Sequence, residues 1–178
     1  FGRAAANHII GYLAENRYHR PMSDEEAEKS MARLARWDKR GEGESIDGLR
    51  TELGNVMEDY CGVFRTEEIL KEGISRVEEL VRRMDDATLK DHSRIFNTAR
   101  VEAMELENLM DVALATVISA YSRKESRGAH SRMDYPDRDD LHWLRHSLYF
   151  REDRSIDYKP VRTKPLSVDA FPPKARTY

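Results

Sequence analysis

Apolar residues recur at three- and four-residue intervals through the first two thirds of the chain, a spacing typical of amphipathic helices. Start signals support the pattern: Ser23 and Glu26 form a predicted capping box, and Pro21 separates this helix from the preceding one. Helices are predicted over residues 3–15, 23–39, 45–60, 66–84 and 97–122, and either Ser45 or Asp47 would start the third. Because no heptad repeat is sustained, the pattern does not indicate a coiled coil.

The fifth predicted helix is the longest, and we expect it to lie at the centre of a bundle. Its apolar or small residues lie close to one face: Val101, Met104, Leu109, Val112, Ala113, Thr116 and Ile118. In the second helix, Met31, Leu34 and Trp37 form a similar stripe. We interpret both stripes as core and not as part of a cofactor site.

The pattern changes after Ser122, where glycine, proline and many charges predict an irregular segment. Residues 138–146 are expected to form a short helix. Residues 147–151 and 155–160 alternate in the manner of strands, with charged residues between them, so they predict a β-hairpin. The proline-rich end, residues 161–178, is predicted to be an extended tail that lies on another surface.

Composition limits the possible functions. Hydrophobic residues make up 39% and charged residues 35% of the 178 positions, which fits a helical protein with solvated faces. The longest apolar run, residues 109–120, contains Asp111 and is too short to span a bilayer. Residues 121–178 contain 13 Lys and Arg against 9 Asp and Glu, although the whole chain has a net charge of −3. A pI near 6.1 without a basic stripe argues against nucleic-acid binding.

Familiar catalytic and metal-binding motifs are missing from the sequence. No glycine-rich phosphate loop is present, and the spacing supports no Ser-His-Asp or Cys-His set. Cys61 is the only cysteine, which rules out an internal disulfide, and we expect a buried or half-buried thiol. His142 and His146 are four residues apart, but a surface or core position is favoured over a metal site. We therefore predict neither a catalytic residue nor a metal ligand.

Arginines and aspartates interleave densely between Arg123 and Asp140. Residues 123–138 contain four arginines and one lysine. Guanidinium groups match carboxylates and phosphates in bidentate geometry, so two interpretations stay open. The first is a salt-bridge network that fixes an irregular loop. The second is a site in which one or two arginines face an anionic ligand or an electron-rich ring, and Gly128 favours it because glycine lets a backbone approach a ligand closely.

The same segment resembles the C-terminal signature of the succinate dehydrogenase and fumarate reductase flavoproteins, through Glu125–Arg132 (ESRGAHSR), Asp134–Asp140 (DYPDRDD) and Trp143. The likeness covers the whole chain, with further matching stretches at Phe1–Ala5, Phe96–Glu102, Glu105–Met110, His146–Tyr149 and Phe171–Tyr178. The last two stretches favour the succinate dehydrogenase branch. The Phe-Pro-Pro ending makes L-aspartate oxidase and adenylylsulfate reductase less favoured.

The resemblance implies a mainly α fold. An antiparallel bundle of three main helices plus an N-terminal helix would be followed by a small irregular capping region with a β-hairpin and an extended tail. Residues 1–22 would be the end of an FAD-binding domain, residues 23–122 the helical bundle domain, and residues 123–178 the capping subdomain, hairpin and tail. Because Phe1 is not Met and the following residues have the pattern of the inside of an element, we expect a piece cut from a longer chain.

The resemblance also implies an activity for the full subunit, namely FAD-dependent oxidation of succinate to fumarate with electrons leaving through an iron–sulfur subunit to quinone. The expected partners are the FAD-binding domain of the same chain, the iron–sulfur subunit and membrane-anchor subunits, with no nucleic acid. The complex would lie at the cytoplasmic face of a bacterial inner membrane or at the mitochondrial matrix face. In this family the catalytic residues lie upstream of the position of Phe1, so the fragment is expected to be inactive and to hold no FAD.

Two arginines are the candidate cofactor-binding residues. C-terminal arginines matter for covalent flavin attachment in this family, and the matching positions here are Arg127 and Arg176. A cation near N1 and O2 of the flavin would stabilise its anionic reduced form and raise its potential. For each arginine, the alternative is a purely structural, domain-docking role.

Two alternatives for the whole chain also stay open. The first is a fumarate reductase flavoprotein, whose direction the sequence does not settle because the potential depends on the whole flavin site and its quinone. The second is a free-standing helical interaction module that would use the basic end and the proline-rich tail to bind an acidic partner.

Overall fold

Helices make up most of the protein. The computed structural model describes residues 1–167 and 169–174. The chain divides into two compact units, Phe1–Lys39 and a second unit that begins at Arg40. Because most elements of both units are helical, the predicted mainly α fold is confirmed.

The first unit contains helix α1 (Gly2–Glu15), helix α2 (Asp24–Ala35) and a 3₁₀ turn (Arg36–Asp38). The Ser23 hydroxyl accepts a hydrogen bond from the Glu26 N–H at 3.2 Å, which confirms the predicted start of α2. Met31 is 64% exposed and Leu34 is 38% exposed, so the interpretation of this stripe as core is wrong for these two residues. Helical periodicity defines an apolar face, but it does not determine whether anything covers that face.

The second unit is built on the three predicted main helices: α3 (Ile46–Cys61), α4 (Glu67–Arg83) and α5 (Thr98–Ser122). Each begins after a residue whose side-chain oxygen accepts a backbone N–H of the first turn, namely Ser45, Thr66 and Asn97. Cys61, at the end of α3, is buried as predicted. These caps fix the starts of the three helices. The site described below is formed by the connection between α3 and α4 and by the residues that follow α5.

Helix α5 buries a face that overlaps the predicted one at a single buried residue, Ala113. Val101, Leu109 and Val112 are 56%, 44% and 62% exposed, so their assignment to the core is wrong. The buried face consists of Ala103, Leu106, Met110, Ala113, Leu114, Val117 and Ala120. Its small residues permit close helix approach, as does a glycine on α4: a Cβ on Gly73 would lie 2.8 Å from Tyr60 Cβ and 3.3 Å from Val117 Cγ2.

Helix α5 is 25 residues long and apolar around much of its circumference. This is why periodicity alone selected the wrong face. Even so, none of the helices within residues 1–167 and 169–174 combines the length and the apolar character needed to cross a bilayer.

A two-stranded antiparallel sheet follows the bundle, formed by β1 (Arg145–Tyr149) and β2 (Ile156–Pro160). It confirms the predicted hairpin. The connection between the strands contacts two helices of the bundle: Arg151 pairs with Asp111 of α5 at 3.0 Å, and Arg154 pairs with Glu78 of α4 at 2.6 Å. Ion pairs therefore connect the hairpin to the bundle.

The short helix before the hairpin, α6 (Asp140–Trp143), is shorter than the predicted helix of residues 138–146. The Asp139 carboxylate accepts the N–H groups of Leu141 and His142, both at 3.0 Å, and thereby sets the start of α6. At the other end, Arg145 already pairs in β1. Capping and strand pairing thus set the bounds of this helix.

Candidate functional site

A tight turn shortly after α5 brings Arg127 and His130 together. The Arg127 N–H donates to the His130 carbonyl at 2.8 Å, and the His130 N–H donates back to the Arg127 carbonyl at 3.0 Å. Gly128 lies inside this turn with a φ of +61°, a conformation that residues with a Cβ rarely adopt. The turn itself therefore favours glycine at this position.

The Glu125 carboxylate is the buried centre of the site, with a side chain that is 0% exposed. It accepts hydrogen bonds from Arg123 at 2.5 Å, from Arg127 at 2.8 and 2.9 Å, and from the Asp139 N–H at 2.9 Å. Burial alone would raise the pKa of Glu125, but the bonds from Arg127, the Asp139 N–H and Arg123 together hold the pKa below its usual value. Glu125 therefore stays ionised and fixes two guanidinium groups.

Arg127 extends this network towards the surface. Its Nη2 donates to one Asp140 oxygen at 2.7 Å, and the other Asp140 oxygen pairs with Arg138 at 2.9 Å. The hydrogen bond to Glu125, followed by that to Asp140, raises the pKa of Arg127. We call the joined residues Arg123, Glu125, Arg127, Arg138 and Asp140 the arginine cluster. Its three cations and two carboxylates leave one net positive charge.

A second ion pair, Arg132–Asp134, joins the ends of two helices. The Arg132 side chain is 0% exposed and donates to Asp134 at 2.7 and 2.6 Å, and its Nη1 donates to the carbonyl oxygens of Ala120 and Tyr121 at the end of α5. Asp134 in turn accepts the Glu67 N–H at the start of α4 at 2.9 Å. Each charge thus faces the helix end of opposite polarity. Arg132 is the main cause that lowers the pKa of Asp134 to about 2.

Arg65, from the connection between α3 and α4, reaches the same region. Its Nε and Nη2 donate to the carbonyl oxygens of Gly62 and Cys61 at 2.7 and 2.9 Å and cap the end of α3. Its Nη1 lies 2.9 Å from Nδ1 of His130. Because arginine only donates, His130 Nδ1 is an acceptor, and the Nε2–H donates to the Arg123 carbonyl at 3.2 Å. These bonds select the neutral His130 ring.

The electrostatic surroundings of His130 favour the same neutral form. Burial is the largest effect and lowers the pKa of His130. The bond to the Arg123 carbonyl raises the pKa, but the positive charges of Arg65, Arg132 and Arg123 lower it. The pKa therefore lies below its usual value, and protonation would place a further cation among three arginines.

Acidification from about pH 7.5 to about pH 5.5 is expected to destabilise the chain through His130. The unfolded state takes up a proton near the ordinary value of 6.5, whereas the folded ring resists it, so the unfolded state binds more protons below that pH. The free energy of unfolding should fall by no more than about 1.4 kcal/mol per pH unit for this one proton. Urea unfolding at both pH values should show a shallower decline for His130→Gln than for the wild type, and equal declines would contradict the prediction.

Metal binding finds no support in the geometry. Across residues 1–167 and 169–174, no group of three His, Cys, Asp or Glu side chains is arranged to hold a metal ion. His142 Nδ1 lies 2.8 Å from Asp139 Oδ2, in an exposed pair on α6. His146 is an exposed residue of β1. Both histidines are therefore surface residues, and the sequence had favoured a surface or core position over a metal site without choosing between the two.

Only one of the two predicted cofactor-binding arginines lies in the described part of the chain. Arg127 lies in the arginine cluster with a side chain that is 28% exposed, whereas Arg176 lies outside the described residues. The interleaved charges do form a salt-bridge network, which confirms the first interpretation of this segment. The ligand-facing interpretation stays a prediction. Within the described part of the chain, Nε and Nη2 of Arg127 have acceptors and Nη1 has none.

Sequence reasoning missed the roles of Arg65, Glu125 and His130. Arg65 and His130 are 65 positions apart, so no local pattern connects them. Two signals were present: Arg65 follows the end of a predicted helix, where cations often cap carbonyl oxygens, and Glu125 lies two residues from both Arg123 and Arg127.

Known proteins are similar to this chain in sequence and in fold. Residues 50–178 match the family described as the fumarate reductase flavoprotein C-terminal region. The chain is 47% identical over 176 residues to the succinate dehydrogenase flavoprotein subunit of Coxiella burnetii, covering 99% of this chain and 30% of that protein. The Rickettsia bellii subunit of the same name is 41% identical, over 100% of this chain and 31% of its own length.

A solved structure shows the same architecture. The E. coli quinol fumarate reductase structure matches with a TM-score of 0.75 and 32% identity, over 85% of this chain and 27% of that one. The chain therefore spans about 30% of the length of the curated relatives it matches.

Proposed function

Because the chain belongs to the succinate dehydrogenase and fumarate reductase flavoprotein family, we propose that it is the C-terminal part of a subunit that oxidises succinate to fumarate. The observation that carries the proposal is the 47% identity to a succinate dehydrogenase flavoprotein subunit over 99% of the chain. Since the alignment covers 30% of that relative, the activity is proposed for the full subunit. The catalytic residues would lie outside residues 1–178, and this segment alone is expected to be inactive.

The full subunit would hold FAD, and the arginine cluster has the charge that suits a supporting role for this cofactor. When bound, FAD supplies the acceptor for the hydride that leaves succinate. The cluster has one net positive charge, and Nη1 of Arg127 has no acceptor within the described residues. A fixed cation near N1 and O2 of the flavin stabilises negative charge there. We therefore propose Arg127 as a flavin-contacting residue, together with Arg176 of the tail.

The neighbours of Arg127 suit it for such a role. Glu125 holds its Nε and Nη2, and Asp140 holds Nη2 from a second direction. The guanidinium plane is thus fixed before any ligand arrives, and preorganised charges stabilise developing charge better than mobile ones. By holding the guanidinium plane, Glu125 and Asp140 would orient Nη1 of Arg127 towards the flavin.

The proposed assembly follows from the same family assignment. Residues 1–22 would end the FAD-binding domain, residues 23–122 would form the helical bundle domain, and residues 123–178 would form the capping subdomain, hairpin and tail. The partners would be the FAD-binding domain of the same chain, an iron–sulfur subunit that carries electrons to quinone, and membrane-anchor subunits. The complex would lie at the cytoplasmic face of a bacterial inner membrane or at the mitochondrial matrix face.

Activity assays on the full-length subunit, assembled with its partner subunits, test the proposal. Succinate-dependent reduction of an artificial electron acceptor is expected to be faster than fumarate-dependent oxidation of a reduced viologen. The opposite ratio would favour a fumarate reductase, an alternative supported by the family match and by the structural similarity to a quinol fumarate reductase. A flavin-loaded subunit that oxidises no succinate would contradict the proposal.

A further inference from the structure

A cavity of about 430 Å³ lies along the second half of α5, beside the arginine cluster. Val112 and Ser119 both line it and are about two helical turns apart, which separates them by about 10 Å along the axis. The volume is within the range of small-molecule sites, roughly 300–1,000 Å³. The cavity is therefore large enough for a small ligand and long enough for one whose two ends differ chemically.

The two ends of this cavity are themselves different. Val112 and Ala115 present methyl groups at the end nearer the middle of α5. Arg65, Arg123 and His130 line the other end, where the helix stops. None of the side chains that line the cavity in the described part of the chain is acidic. The lining thus combines an apolar wall with a basic end.

Arg65 gives the basic end a positive charge that no carboxylate neutralises within residues 1–167 and 169–174. Its acceptors are two carbonyl oxygens at the end of α3 and the neutral His130 ring. Carbonyl oxygens at a helix end carry only partial negative charge. The Arg123 charge, in contrast, is paired with Glu125. Because partly buried charges are usually paired, the uncompensated charge of Arg65 indicates a place for an anion.

Hydrogen-bond donors are available at the same end. A guanidinium group has five N–H donors, and the three bonds of Arg65 leave one N–H on each terminal nitrogen without an acceptor among the described residues. The Ser147 hydroxyl accepts Nη2 of Arg123 at 3.3 Å, so its own O–H is not used by that bond. These donors, next to a positive charge, suit the two oxygens of a carboxylate.

We propose that this cavity is a binding site for a small carboxylate with a short alkyl chain. The carboxylate would bind Arg65 and the Ser147 hydroxyl, and the alkyl chain would lie against Val112 and Ala115. The basic end is organised before a ligand arrives, because His130 and the carbonyl oxygens at the end of α3 hold all three nitrogens of Arg65. This inference does not depend on the proposed oxidation of succinate.

Methyl NMR of the full-length subunit, labelled at alanine and valine methyl groups, tests the proposal. The probe is sodium hexanoate at about pH 7.5, where its carboxylate is ionised. The Val112 and Ala115 signals should shift along one saturable curve, with half-saturation at roughly millimolar concentration, because few contacts hold the ligand. Hexanamide has the same alkyl chain without the charge and should bind roughly tenfold more weakly, since it loses a charge-assisted hydrogen bond.

Two substitutions and a matched control locate the site. Arg65→Gln should weaken hexanoate binding by roughly tenfold or more, because it removes the charged donor. Arg82→Gln should keep the wild-type affinity, since Arg82 is a 73% exposed cation of α4 that does not line the cavity. Val112 is 62% exposed, so Val112→Asp should leave the protein folded. The introduced carboxylate should repel hexanoate and weaken its binding, as followed at Ala115.

The outcomes that overturn the proposal are specific. No saturable shift with hexanoate overturns the site, and equal affinity for hexanamide overturns the recognition of a carboxylate. Unchanged affinity in Arg65→Gln, with circular dichroism showing a folded variant, overturns the role of Arg65. If loss of the α3 cap unfolds that variant, Val112→Asp decides, because an unchanged hexanoate affinity there overturns the proposed position of the ligand.

Discussion

Replacing Arg132 by methionine is expected to lower the free energy of unfolding of the chain by about 3 kcal/mol. The Arg132 side chain is fully buried and joins Asp134 to the last carbonyl oxygens of α5. Methionine fills a similar volume, but it leaves Asp134 without its guanidinium partner and removes the donor that Arg132 provides to the Ala120 and Tyr121 carbonyl oxygens. Each lost hydrogen bond to a charged group typically contributes about 1.5 kcal/mol or more, which makes this a large effect for one residue.

Urea unfolding measured by circular dichroism checks this expectation. Arg151→Met is the matched control, because Arg151 is 74% exposed and its ion pair with Asp111 lies at the surface. Exposed ion pairs contribute little, so the control should keep the wild-type urea midpoint. A midpoint for Arg132→Met that also stays at the wild-type value would show that the buried pair does not hold the helix ends.

The same pair should leave a signature in acid. The pKa of Asp134 is about 2 in the folded protein and its ordinary value is 3.8, so the group stabilises the fold above pH 3.8. That contribution is lost as the pH falls from about 4 towards 2, because the unfolded state then binds the proton first. In Arg132→Met, the pKa of Asp134 in the folded protein should move closer to its ordinary value. The free energy of unfolding should then fall less between about pH 4 and about pH 2 than it does in the wild type.

Local signals in the sequence account for much of the fold. Ser23, Ser45, Thr66 and Asn97 accept N–H groups at helix starts, and such caps are recognisable because the polar residue and the helix that it begins are adjacent in sequence. The hairpin was predictable because its two strands and the charged residues between them are also adjacent in sequence. The buried face of α5 was not, because apolar residues surround much of that helix and only contact with α3 and α4 selects the side that carries alanine.

The candidate site was predictable only in part. Alternating charges between Arg123 and Asp140 indicated a salt-bridge network, since oppositely charged residues close in sequence meet readily in an irregular loop. No local pattern indicated that Arg65 contacts His130, or that Arg138 binds the Lys174 carbonyl across 36 positions. Such pairs depend on how the loops fold back on the bundle, which no local pattern encodes.

Replacing Arg127 by alanine in the full-length subunit is expected to reduce covalent flavin strongly while leaving the protein folded. The physical reason is that Arg127 is a fixed cation whose Nη1 has no acceptor in the described part of the chain. Removing one preorganised donor from a site where negative charge develops slows such reactions by about a hundredfold, so attachment should be incomplete. The Arg123–Glu125 ion pair remains in the variant and should preserve the local fold.

Covalent flavin per mole of full-length subunit tests the central claim most directly, measured by in-gel fluorescence for the wild type, Arg127→Ala and the Arg151→Ala control. The proposed role of this segment predicts full loading in the wild type and the control, and a large loss in Arg127→Ala, with circular dichroism showing that the variant is folded. Full loading in Arg127→Ala would contradict the claim and would leave the arginine cluster with a structural role alone.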